Sequence, residues 1–109
     1  MTKVVIEPGV CGFLTKVTAE SVDMEDQVGV KIQVESGCES VQNMMKELGE
    51  EFDAYELCLQ RPGVGPMFDY AKEHFPVHVS CPILNGIIKC VEAECNLALK
   101  KDTYIRYED

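Results

Sequence analysis

"VGVKIQVESGCESVQNMMKELG", residues 28–49, changes its hydrophobic period partway along, and that change decides the fold. Over 28–35, Val28, Val30, Ile32 and Val34 alternate with more polar neighbours, the period of two of a strand with one buried face. From Cys38 onward Val41, Met44, Met45 and Leu48 recur at three- and four-residue intervals, as on a helix laid against a core. Gly49 then stands where a helix commonly ends on a glycine.

The same reading extends outward in both directions. "KVVIE" (3–7) predicts a short first strand ended by Pro-Gly, and "GFLTKVTAE" (12–20) alternates as a second. The acidic "SVDMEDQ" (21–27) fits a hairpin connection into the strand at 28–35. Beyond Gly49, "EFDAYELCLQ" (51–60) predicts a second helix stopped by "RPGVGP", a connector without the Lys-Ser/Thr signature of a phosphate loop. "MFDYAKEHF" (67–75) predicts a short helix, and 82–99 the longest, with Leu84, Ile88, Val91, Cys95 and Ala98 as its apolar stripe. "DTYIRYE" (102–108) predicts a final strand, pairing with the first. Strands first and helices after give an α+β class: an antiparallel sheet of three to four strands with helices packed on one face, as a single domain over 1–109.

Composition narrows the function. The chain has 109 residues, 46% of them hydrophobic and 27% charged, values ordinary for one globular domain. A formal net charge of −9 argues against partners that present phosphates, so neither nucleic acid nor an anionic membrane is expected. No apolar run approaches a membrane span, and "MTKVVIEPGVCG" lacks the apolar stretch of a signal peptide, which predicts a cytoplasmic location. In that reducing compartment the six cysteines are expected to be buried, metal-bound or chemically active thiols, not disulfides.

The cysteines fall into two groups. Cys58, Cys90 and Cys95 lie within predicted helices among apolar neighbours, where cysteine serves as a small buried hydrophobe. In "CVEAEC" the two thiols stand at i and i+5, which point in different directions on a helix. Cys11, Cys38 and Cys81 each sit at an element boundary beside Gly or Pro, in "PGVCGF", "SGCES" and "VSCPI". Pro82 suits the first helical position, so Cys38 and Cys81 are expected at two helix amino termini. There the free N–H groups and the dipole favour thiolate, the form that metal binding and sulfur chemistry require. Gly12 and Gly37 would let the backbone approach a bound group.

The order "CG", strand, strand, "SGC", helix, "FPVHVSC", helix is similar to the U-type iron–sulfur cluster assembly scaffolds, the IscU and NifU amino-terminal family. That family carries one cysteine in a Cys-Gly-Asp turn, one in a Gly-Cys at a helix start, and one before the last long helix. "FPVHVSC" resembles the segment that ends in the third of these, through Pro76, Val77 and Cys81. The chain also looks like a small family from anaerobic microbes. The scaffold resemblance covers roughly residues 10–99 and implies a SufE/NifU-like fold, with an iron–sulfur cluster or zinc held by Cys11, Cys38 and Cys81. It further implies sulfur-donor or apo-acceptor proteins as partners. Three departures stand beside the shared framework. Phe13 replaces the Asp implicated in cluster exchange, Ser80 replaces a His before the third cysteine, and His78 replaces a Lys of the chaperone-recognised segment.

The expected function is therefore a small metal-binding protein that holds an iron–sulfur cluster or zinc as a scaffold or carrier, with enzymatic activity left open. Three thiolates leave one coordination position open to water, a histidine or an exogenous ligand, and His78 is the nearest side chain to fill it. His74, near a helix end, can instead complement the carbonyl dipole. Two alternatives remain open: a persulfide-accepting thiol at Cys81 or Cys38, and an interaction module whose thiols are inert. Hydrolytic Cys–His–acid chemistry is not expected with only two histidines in the chain.

Overall fold

The alternation at 28–35 becomes the centre of the sheet. A computed structural model describes residues 1–24 and 27–109. Strands β1 (Thr2–Ile6), β2 (Thr15–Met24), β3 (Gln27–Ser36) and β4 (Glu51–Asp53) form one antiparallel sheet in the order β1-β2-β3-β4. Helices α1 (Glu39–Leu48), α2 (Ala54–Cys58), α3 (Pro66–His74) and α4 (Ile83–Glu94) complete an α+β fold. Strands β2 and β3 run further than 20 and 28, taking up most of the expected 21–27 connection; residues 25–26 lie outside the described part.

Register explains the one-sided core. Val4 pairs with Val17 and Val17 with Val34, while Ala19 faces Ile32, Ser21 faces Val30 and Val30 faces Phe52. All these side chains share one face by the two-residue period, and Val17, Ala19, Val30 and Ile32 are fully buried there. Lys16, Thr18, Glu20, Lys31, Gln33 and Glu35 take the other, open face, as an antiparallel sheet with one wet side allows. Against the apolar face lie Val41 and Met44 of α1, Leu57 of α2, and Ile83, Leu84, Ile87, Cys90 and Val91 of α4, while Met67 joins the same core from α3, which packs on α1 and α2.

Four expectations are corrected. Residues 51–60 are not one helix: Glu51–Asp53 is a strand, because Asp53 caps α2 by accepting from the N–H groups of Tyr55 (2.9 Å) and Glu56 (3.4 Å). Three residues are too few to display a period of two, so the acidic run hid the strand. Residues 12–14 form a turn before β2, held at Gly12 in the left-handed region (φ 70°) by a bond from Leu14 N–H to its carbonyl. Helix α4 ends at Glu94 and not at 99. Asn96 turns left-handed (φ 59°), and the Leu97 N–H closes back on the Glu92 carbonyl at 2.8 Å. Its buried side consequently runs through Ile83, Ile87, Cys90 and Val91, while Ala98 is exposed. Residues 102–108 are not a strand: they are exposed and unpaired, and β1 pairs with β2 alone.

A candidate thiol site at one end of the sheet

Ile6 ends β1, Thr15 opens β2 and Ser36 closes β3, and these three residues are paired across the sheet. The turn at 7–14, which carries Cys11, and the turn at Ser36–Cys38 therefore leave from the same end. Helix α4 runs antiparallel to β1. Its Gly86 is so close to Ile6 that a Cβ there would run into the Ile6 side chain, while Glu94 at the other end accepts from Thr2 and Ser21. The start of α4, with Cys81 just before it, thus lies at the Ile6 end too. Topology brings Cys11, Cys38 and Cys81, 27 and 43 residues apart in sequence, to one end of the molecule.

Two contacts tie the first two turns together. The hydroxyl of buried Thr15 lies 2.9 Å from the Phe13 carbonyl and 2.8 Å from the Ser36 hydroxyl, and the Ser36 oxygen accepts the Cys38 N–H at 3.1 Å. A carbonyl only accepts, so Thr15 gives its one proton to Phe13 and accepts from Ser36. The relay runs Cys38 N–H, Ser36, Thr15, Phe13. The Phe13 ring also rests on Gly37, where a Cβ would come within 2.9 Å of its Cδ1. Phe13 is thus a wedge between the Cys11 and Cys38 turns.

The three cysteines are held differently. Cys38 is the N-cap of α1 and half-buried; its carbonyl receives the Gln42 N–H at 3.0 Å, and its thiol makes no capping bond. Cys11 is exposed on its turn. Cys81 is half-buried and stands one residue further out than expected, since Pro82 is the N-cap of α4 and not its first residue. Its N–H reaches the His78 carbonyl at 3.4 Å, which folds 78–81 into a turn. His78 is exposed on that segment. His74 stacks on Tyr70 with ring centroids 4.3 Å apart, at the end of α3.

Among the described residues no group of three or more His, Cys, Asp or Glu side chains is placed to hold a metal ion. The donor set suits a thiophilic metal, but as arranged the thiols share an end without forming a ligand cage. The helix thiols behave otherwise. Burial pushes Cys58 up to about 12, with the Glu92 carboxylate adding to the effect. Burial likewise raises Cys90 and Cys95, and Cys90 is fully enclosed with its Sγ 3.3 Å from the Thr2 carbonyl. These three are held as neutral thiols; of the turn cysteines Cys11 is exposed, while Cys38 and Cys81 are half-buried like Cys58 and Cys95.

Apolar side chains surround the site that sequence reasoning left aside. Val10, Val77 and Val79 are fully exposed, and Phe13 and Leu14 are partly so. Their signal was their setting: apolar residues among Gly and Pro, in segments with no strand or helix period to carry them inward. Residues 76–80, which lead to Cys81, are exposed, with a bend at Val77 and a turn at 79–80.

The family model described as "Family of unknown function (DUF6951)" matches residues 2–107. The chain belongs to DUF6951. No curated protein and no solved structure is matched by it. Among the described residues of this DUF6951 chain, no helix is long and apolar enough to cross a membrane.

Proposed function

We propose that this chain takes up a thiophilic metal, as zinc or an iron–sulfur cluster, at the sheet end that bears Cys11, Cys38 and Cys81. The observation that carries the reading is their convergence: three boundary cysteines from three distant parts of the chain leave one end of one sheet. The likeness of the three-cysteine order to U-type scaffolds supports it. Cys38 is the anchored member, and ligation requires the 7–14 turn and the 75–82 segment to move toward it, with His78 carried on the second. The exposed Val10, Val77 and Val79 around the thiols suit docking of a sulfur-donor or apo-acceptor protein. The reading places the protein in a reducing, cytoplasmic setting.

A second reading is a sulfur acceptor that carries a persulfide on one turn cysteine. The exposure of Cys11 and the absence of a preformed ligand group among the described residues favour it. Anaerobic purification with metal analysis and ultraviolet–visible spectra separates the two, on wild type and on Cys11→Ser, Cys38→Ser and Cys81→Ser. Metal or reconstituted cluster lost in each variant supports ligation. A metal-free protein with one turn cysteine alkylated far faster than Cys58 and Cys90, and a persulfide adduct by mass, supports the carrier. Metal content unchanged in every variant overturns ligation, and equal labelling of all six thiols overturns the carrier.

A further inference from the structure

The chain beyond Leu97 leaves the core. Residues 99–109 have no regular secondary structure, yet Tyr104, Ile105 and Tyr107 are 67%, 91% and 96% exposed there. Their side chains already keep the period of a strand. The Tyr104 hydroxyl donates to the Asp102 carboxylate at 3.2 Å, and the Arg106 guanidinium lies 4.7 Å from the centre of the Tyr104 ring. Contacts between i and i+2 in both directions place 102, 104 and 106 on one face. Thr103, Ile105 and Tyr107 then share the other face, three strong strand formers with nothing over them. The DUF6951 match runs through 107 and so includes this segment up to Tyr107.

A lone strand is not stable in water and needs a sheet edge, and an open edge is a template for one. The sheet offers two. Strand β4 has three residues and is hemmed in by α1 before it and α2 directly after. Strand β1 has five, Thr2–Ile6, and pairs on one side only. The stretch 103–107 matches it in length; of its flanks, Asp102, Glu108 and Asp109 complement Lys3 on β1, and Lys100 and Lys101 complement Glu7 directly after β1. Within one chain the segment leaves the β1 edge uncovered.

We propose that residues 103–107 add as a fifth strand to the β1 edge of a second copy, each copy giving its own segment and receiving its partner's. Reciprocal exchange closes as a two-fold dimer, the commonest closed assembly, and removes one exposed edge from each sheet. The test uses the full chain in sedimentation velocity, beside the variant Ile105→Asp/Tyr107→Asp. Neither residue contributes to the core, so the variant keeps the fold, checked by an unchanged far-ultraviolet circular dichroism spectrum. The expected result is a wild-type mass twice that of the chain, falling by half in the variant. Hydrogen exchange should slow together in peptides covering 1–7 and 101–109 of wild type, and that slowing should be lost in the variant. Wild type at single-chain mass across the concentration range overturns the proposal. So does a dimer that survives in the variant, or protection of 101–109 in a molecule of single-chain mass.

Discussion

Thr15 is the residue on which the thiol end depends most directly. It is fully buried, and its hydroxyl is the middle of the relay from the Cys38 N–H through Ser36 to the Phe13 carbonyl. Valine has nearly the same shape and a strand preference, so Thr15→Val tests the hydroxyl and little else. It leaves the Phe13 carbonyl and the Ser36 hydroxyl short of a partner, at a cost of about 1–3 kcal/mol. Urea unfolding of Thr15→Val should show that loss, and Thr15→Ser, which keeps the hydroxyl, should recover most of it. A valine variant as stable as wild type would show that water replaces the relay. Phe13 acts at the same scale by packing: its ring on Gly37 holds the Cys11 turn against the Cys38 turn.

At the scale of elements, the approach of α4 to β1 makes a prediction of its own. Alanine is the better helix former by about 1 kcal/mol, so Gly86→Ala in an open helix would stabilise. Here the new methyl meets the buried Ile6 side chain, and overpacking costs about 1–3 kcal/mol. Gly86→Ala should therefore leave stability unchanged or lower it, whereas in an Ile6→Ala background the same change should stabilise. Calorimetric melting of the four proteins reads the coupling; a stabilising Gly86→Ala in wild type would mean that α4 shifts freely. What the sequence revealed at this scale follows pattern length. Strand β3 and helix α1 were legible because each runs for ten residues, long enough to show its period. Strand β4 was not, at three residues, and neither was the end of α4, which turns on Asn96 adopting the left-handed region and not on a change of hydropathy. Residues 102–108 alternate as a strand should and still stand alone, because alternation states what a segment can pair with and not whether a partner edge reaches it.

For the whole molecule, element order placed each turn cysteine at a boundary, but only strand register and the direction of α4 put the three at one end. Spacing carries neither. The opposite end is fastened by Glu94, whose carboxylate is one-tenth exposed, accepts from the Ser21 N–H at 2.9 Å and the Thr2 hydroxyl at 2.8 Å, and lies 3.3 Å from the Met1 amino group. These partners, the Ser21 N–H foremost, hold its carboxyl down at about 2 against the opposing effect of burial. Because the folded value lies below the unfolded one, the unfolded chain binds this proton first as pH falls. The stabilisation from Glu94 is thus complete above about pH 4.5 and is lost as pH falls through about 2. The self-repulsion of a chain at net charge −9 is a separate, opposing influence on stability. Comparison with Glu94→Gln separates the two effects. The variant should be less stable at neutral pH, and the gap to wild type should narrow steadily from about pH 4.5 toward about pH 2, read by chemical unfolding at fixed pH. A variant as stable as wild type across that range would mean that the fastening is one of shape, which glutamine reproduces at every pH, and not of charge.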